Sequence, residues 1–360
     1  MTKLETWTDA AIGETRQALV RDGKPIMLHV SRWSDSGRRA QWGEAYTARV
    51  RNVDTRRRGA FLDMGLGEHF GFARIDAAGR ARLRSGPVAL VEGQAVTANV
   101  SREGARGKGP VMEIVSLLPE TDTLGRTARH ESSENADAAG PADADTREKL
   151  DALVDAGLSP TAPIPGGGVL TIEPTSALVA IDVDSAARRG PSDPERFARD
   201  LNLAAAEEAA RQLRLRGLGG LVAIDFVSMR DRRAQEAVTA AVKAATADDP
   251  WGVTVAAMSR FGVVELSRGQ LRAPLHELLC DAHGQPTAET VALAALRGIE
   301  REARTAKGRV VVAWLGDEVL DWLLGEHISW RVALNGRIGP RWDIRRKAGA
   351  PRAQWDVEVE

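Results

Sequence analysis

A carboxylate inside an otherwise apolar strand is costly unless something compensates it, and this 360-residue chain has two such strands. The run ALVAIDVDSA carries Asp182 and Asp184, and LVAIDFVSM carries Asp225. Between them, Ser192-Asp193-Pro194-Glu195 reads as a capping box with proline near the first turn of a helix. That helix runs through FARDLNLAAAEEAARQLRLR and stops at Gly217. A second helix is predicted from about Arg232 to Ala247, and VTVAAMS follows as a further strand. Strand, helix and strand with continuous apolar strands predict a buried, largely parallel sheet. Asp182 and Asp184 are two apart and share a face. A right-handed crossover would lay the Asp225 strand parallel to theirs, and the carboxylates would converge where open α/β sheets bind ligands.

Two readings of these aspartates stay open on spacing alone. In one they hold a hard divalent cation such as magnesium, which takes oxygen ligands and is usually held by one or two carboxylates. In the other they cap neighbouring helices or pair with Arg188, Arg189 or Arg260. Competing chemistry is not visible: there is no Walker motif and no GxSxG, and Gly166-Gly167-Gly168 precedes a strand, not a helix.

Charge divides the rest of the chain. Residues 1–118 hold 19 Lys and Arg against 13 Asp and Glu, and residues 119–148 hold three against eight. The acidic stretch has almost no large apolar residue, and so reads as a disordered linker that cannot offset the entropy of ordering. Residues 44–118 read as about five short strands, hence a small β-barrel with the OB-fold as leading candidate. The one cysteine, Cys280, excludes an internal disulfide framework and fits a reducing cytosol. The polar, acidic N-terminus does not read as a signal peptide, and no apolar run is long enough to span a bilayer.

The core residues resemble a known family. NLAAAEEAARQLRLRGLGGLVAIDFVSM (Asn202 to Met229), SRFGVVELSR (Ser259 to Arg268) and ALVAIDVDSA (Ala177 to Ala186) are similar to the catalytic core of the bacterial ribonuclease E/G family. GETRQALVRDGKPIMLHV and GAFLDMG…GFARI resemble its opening strands and its S1-type OB-fold. The resemblance implies an α+β multidomain fold, with an OB-fold barrel, an α/β deoxyribonuclease-I-like catalytic domain and a small α+β C-terminal domain. It implies magnesium-dependent endonucleolytic cleavage of single-stranded RNA, in ribosomal RNA processing or message turnover, by a cytoplasmic homodimer. Asp182 and Asp225 would hold the magnesium, with a metal-bound water as nucleophile and a 5′-phosphate product. Asp184 stands where the family usually has asparagine, and becomes a third ligand or an orienter. Phe61 and Phe72 would stack RNA bases, with Lys108 and Arg260 on phosphates; read without the resemblance, Phe61 is equally a barrel-core residue. A non-catalytic RNA-binding protein on the same scaffold is the alternative.

Two departures accompany the resemblance. No segment matches the family's sensor of the RNA 5′ monophosphate, and most of its ribonuclease-H-like subdomain has no counterpart in the interval. The family's Cys-x-x-Cys zinc link between protomers reads here as Cys280-Asp281-Ala282-His283, so a shared zinc would take Cys280 and His283 from each of two copies. The expected segments are 1–40 (N-terminal strands), 41–118 (OB-fold), 119–165 (acidic linker), 166–278 (nuclease) and 279–360 (dimerisation). In the last of these, a helix over 288–304 is followed by strand, helix and strand, and Trp314, Trp322 and Trp330 read as core or dimer contacts.

Overall fold

The structure is a computed structural model describing residues 3–67, 69–105, 108–121, 123–129, 140–186, 188–306 and 308–360. Three N-terminal strands, β1 (Leu4–Ala11), β2 (Glu14–Arg21) and β3 (Lys24–Arg32), form one sheet in the order β1-β2-β3. The chain groups into two compact units that interleave in sequence. One comprises Met1–Trp7, Ala18–Leu28 and Lys149–Leu275; the other comprises Thr8–Gln17, His29–Glu148 and His276–Glu360.

The second unit holds a closed barrel. Its strands are β4 (Ala45–Asp54), β5 (Gly59–Asp63), β6 (Phe70–Arg74), β9 (Ala95–Arg102) and β10 (Val111–Leu117). They pair in the order β4-β5-β6-β10-β9, and β9 closes back onto β4. Strands β7 (Arg80–Leu83) and β8 (Gly86–Ala89) form a separate hairpin, and β11 (Gly125–Ala128) pairs with β4. Alternation sends Ala48, Val50, Leu62, Met64, Val96, Ala98 and Ile114 inward, all nearly inaccessible. Phe61 is not one of them: it is half-buried on the outer side of β5. Residues 56–58, three arginines, form an exposed turn.

The acidic stretch departs from the linker reading. Residues 130–139 lie outside the described residues, but helix α1 (Ala144–Leu158) and strand β12 (Thr161–Pro163) are formed. Charge does the ordering here. Arg147 of α1 is buried, donating to Asp9 at 2.9 Å and to Glu300 at 3.1 Å. Asp9 also accepts from Arg16 at 2.8 Å and from the Ala142 N–H at 2.9 Å. Composition counted these residues as solvating charge because pairing across more than a hundred residues is invisible to it.

The first unit is built on the sheet β12-β13-β14-β15-β17-β16, with β13 (Val169–Pro174), β14 (Val179–Asp184), β15 (Gly220–Asp225), β16 (Val253–Val255) and β17 (Val263–Arg268). Only β14 and β15 run parallel; the other pairings are antiparallel, which corrects the largely parallel sheet. Helices α2 (Pro194–Leu215) and α3 (Arg232–Thr246) cover one face. Ala198, Leu201, Ala205 and Ala209 of α2 and Ala234, Val238 and Val242 of α3 pack in one core with Ile172, Ile181, Val183, Val222, Ile224 and Leu266. Asp193, not Ser192, is the α2 N-cap, accepting from the Glu195 N–H, and Pro194 opens the first turn; the expected capping box does not form, because the Glu195 side chain accepts from the N–H groups of Arg230 and Asp231 instead.

The other face of this sheet is open. Asp182, Asp184, Leu221, Asp225, Glu265 and Ser267 are exposed along it. The strands therefore alternate, and the apolar runs are half-buried strands interrupted by small residues such as Ala180 and Ala223.

After α4 (Leu275–Leu279), the C-terminal part of the second unit packs α5 (Ala288–Thr305) on the sheet β19-β18-β20. Its elements are β18 (Val311–Leu315), α6 (Asp317–Leu324), α7 (Trp330–Ile338), β19 (Trp342–Arg346) and β20 (Trp355–Val359). The segment from Trp330 is a helix where a strand was expected, because Trp330 and Leu334 bury together at helical spacing. Trp330 is core, Trp322 packs against that core, and Trp314 is half-buried beneath the Arg345 guanidinium. No helix among the described residues is long and apolar enough to cross a membrane.

Candidate functional site

The parallel pairing of β14 and β15 sets Asp182 beside Asp225 in register, on the open face at the carboxyl ends of both strands. Side chains at paired positions point the same way, about 5 Å apart at their bases. Asp182 feels both neighbours: partial burial, then the charge of Asp225, then that of Asp184 hold its carboxyl above the usual range, against one backbone hydrogen bond. Among the described residues none of the three forms an ion pair. Arg188 donates instead to the carbonyls of Pro165 and Gly167, and the Arg260 guanidinium stacks on the Phe261 ring. Neither arginine answers the aspartates, and none of the three caps a helix.

These carboxylates are exposed, so the cost of burying charge is not what distinguishes them. Two carboxylates set side by side with no cation between them are. The donor set is oxygen only, two acids on rigid adjacent strands, which fits magnesium. Asp184 is placed differently: its carboxylate accepts the Ala186 N–H at 2.6 Å and closes the turn after β14. Among the described residues no three His, Cys, Asp or Glu side chains come together as a metal-holding group.

The backbone after Asp225 is held by side chains from α2 and α3. Asn202, fully buried, donates to the Val227 carbonyl at 2.7 Å and accepts its N–H at 3.1 Å. Glu195 accepts the N–H groups of Arg230 and Asp231, both at 2.8 Å, and Gln235 donates to the Met229 carbonyl. These supports were not singled out in the sequence, although Asn202 opens the recognisable motif. The two arginines of SRFGVVELSR divide: Arg268 is buried, bonded to Asp249 and stacked on Trp251, whereas Arg260 is free to face solvent.

On the barrel, Phe61 and Phe72 are cross-strand partners with ring centroids 5.6 Å apart at 71°. A glycine makes this possible: a Cβ on Gly59 would stand 2.0 Å from the Phe72 ring. Phe70, two residues before Phe72 on the same outer face, is 40 % exposed and was missed, although the alternation in HFGF signals it. Lys108 is exposed in the loop beside Phe70, since the neighbouring Gly109 lies against the Phe70 carbonyl. Past Phe72 the same face reaches Arg74, which lines a cleft of about 410 Å³ with Arg82 and Arg102. None of these three arginines has an ion-pair partner among the described residues. The sequence reading did not include them.

Cys280 and His283 lie in a tight turn. Asp281 closes it by accepting the N–H groups of His283 and Gln285, and pairs with Arg352 at 2.7 Å. Partial burial and Asp281 push the Cys280 thiol up, against the pull of Arg32.

A layer of helices on a mixed sheet carries two carboxylates in register on its open side, and a separate closed barrel carries aromatic side chains on its outer face. Comparison makes this specific. Residues 126–271 match the Ribonuclease E/G family. Ribonuclease E of Escherichia coli (strain K12) is 37 % identical over 201 residues, covering 54 % of this chain and 19 % of that protein. Ribonuclease E of Haemophilus influenzae is 38 % identical over 170 residues, 45 % of this chain and 18 % of its own length. Ribonuclease G of the same organism is 29 % identical over 201 residues, 54 % and 41 %. The match therefore spans less than a fifth of the length of either ribonuclease E.

Proposed function

We propose that the protein is a magnesium-dependent endoribonuclease that cuts single-stranded RNA. The in-register pair Asp182 and Asp225, unanswered by any cation among the described residues, carries this reading. The relatives named ribonuclease E and ribonuclease G support it. On this reading the first unit's sheet is a deoxyribonuclease-I-like catalytic domain and the barrel an S1-type OB-fold.

Asp182 and Asp225 would hold the magnesium, which supplies charge neutralisation and activation of water at a phosphodiester. The protein's share is positioning. Parallel strands fix the spacing of the two carboxylates. Asn202, Glu195 and Gln235 hold the backbone that follows Asp225, so its carboxylate does not drift. Asp184 adds negative charge beside the pair and fixes the turn that follows β14. Phe61, Phe72 and Phe70 offer base-stacking surface worth about 1–3 kcal/mol per base, and Lys108, Arg74, Arg82 and Arg102 offer phosphate contacts along the same face. The substrate is an RNA of the kind met in ribosomal RNA processing or message turnover, in the cytoplasm, and the working form is a homodimer. A zinc shared between copies would take Cys280 and His283 from each, at a turn that Asp281 and Arg352 already close without it.

The test is cleavage of an end-labelled single-stranded RNA with and without magnesium. Internal cutting that requires magnesium and competes with unlabelled single strands, but not with duplex, is expected. Indifference to magnesium would refute the metal assignment.

A further inference from the structure

Phe261 is 74 % exposed, an unusual position for a phenylalanine, and no packing contact among the described residues accounts for it. It sits at the tip of the β16–β17 hairpin, immediately before the strand that pairs with β15. Val263 is the cross-strand partner of Asp225, and the Phe226 N–H meets the Gly262 carbonyl at 3.4 Å. Two residues of chain beyond a strand pair put Phe261 within about 12 Å of Asp225 at the backbone. The tip is not slack. The Ser259 N–H donates to the Val263 carbonyl at 2.8 Å, the Gly262 N–H to the Ser259 carbonyl at 3.0 Å, and the Phe261 N–H to the Ser259 hydroxyl at 3.3 Å. Gly262 takes the left-handed conformation (φ 88°) that the turn requires. One face of the ring carries the Arg260 guanidinium, 4.7 Å from its centroid. The exposure leaves the rest of the ring to solvent.

An aromatic ring on a rigid turn, with a cation beside it and a free face, is the chemistry that binds an unpaired nucleotide. We propose that Phe261 and Arg260 form a nucleotide subsite flanking the Asp182–Asp225 centre, in which the ring stacks the base next to the scissile bond and the guanidinium takes the adjoining phosphate. The inference rests on the reading of that pair as the cleavage centre. It also supplies a local reason for single-strand preference: a base in a duplex is already stacked and cannot lie on the ring without being flipped out.

The test compares wild type with Phe261→Ala, Phe261→Trp and Arg260→Ala on one RNA cut at a single internal site. A matching set carries an abasic residue at each position around that site. Phe261→Ala should lower kcat/KM roughly 5- to 100-fold, the range of one stacked base. Phe261→Trp should stay within about threefold of wild type, because a larger ring still stacks. One abasic position should cost the wild type a similar factor and cost Phe261→Ala nothing further. The melting temperature should not move, since the side chain is exposed. Equal cutting by wild type and Phe261→Ala, or additive losses from the abasic residue and the substitution, would overturn the subsite. Affinity for an uncleavable 2′-O-methyl RNA separates the two readings. If wild type binds it in a Phe261-dependent way but cuts nothing, the cleavage reading fails and the stacking subsite stands. If binding ignores Phe261, the subsite fails whatever cutting shows.

Discussion

Asn202→Ala removes two hydrogen bonds at once, and both end on one residue, Val227, two positions after Asp225. A polar group left without its partner in a buried place costs about 1–3 kcal/mol. Val227 is half-buried, so water can replace part of the loss. The local cost comes to about 2 kcal/mol, which corresponds to a roughly 30-fold loss of protection at an amide that opens locally. The assay is amide hydrogen exchange read at Val227 and its neighbours, with an amide in the barrel as the internal reference. Asn202→Asp keeps an acceptor for the Val227 N–H, loses the donor to its carbonyl and buries a charge, so its loss should be larger. The same substitution should lower kcat for RNA cleavage while leaving KM nearly unchanged, because the barrel proposed to bind RNA is untouched. A protection change under about threefold, or an effect confined to KM, would refute the claim that Asn202 positions the strand carrying Asp225.

Three other outcomes follow from the geometry. Burial alone would raise the Asp9 carboxyl, but Arg147, the Ala142 N–H and Arg16 outweigh it and bring it down to about 2 from 3.8. A group depressed on folding stabilises above its unfolded value, so about 2 kcal/mol should be lost as pH falls from 3.8 through about 2; acid unfolding of wild type against Asp9→Asn should diverge there, and coincident curves would refute it. Gly59→Ala places a Cβ into the Phe72 ring, so RNA affinity should fall about as far as in Phe72→Ala, roughly 5- to 100-fold by filter binding; unchanged affinity would remove Phe72 from the RNA face. The Cys280–His283 turn is closed by Asp281 and Arg352, so chelator dialysis should leave the melting temperature unmoved. A fall, with zinc released at one ion per two chains, would show that a shared zinc holds this region.

The sequence was most legible where physics is local. The strand-helix-strand order around Asp182 and Asp225, the α2 start at Asp193-Pro194 and the barrel strands all follow from apolar alternation and capping chemistry over a few residues. The parallel neighbouring of the two aspartates was also legible, because crossover handedness leaves few alternatives. Sheet direction beyond that pair was not: an apolar strand open on one face through alanines reads the same as one covered on both. The helix α1 was missed because its ordering depends on Arg147 reaching Asp9 and Glu300, far away in sequence. Trp330 was assigned to a strand because a short apolar run does not by itself tell period two from 3.6. Phe261 lay inside the recognised motif, but only the structure shows that its side chain faces solvent.

The most direct measurement is single-turnover cleavage of a 5′-labelled single-stranded RNA by wild type, Asp182→Asn and Asp225→Asn, with RNA affinity measured in parallel. The account predicts magnesium-dependent internal cutting by wild type, abolished by either substitution, with affinity retained in all three because binding resides largely in the barrel. Tight binding without cutting by wild type, or cutting that survives both substitutions, would contradict the assignment of Asp182 and Asp225 as the cleavage centre.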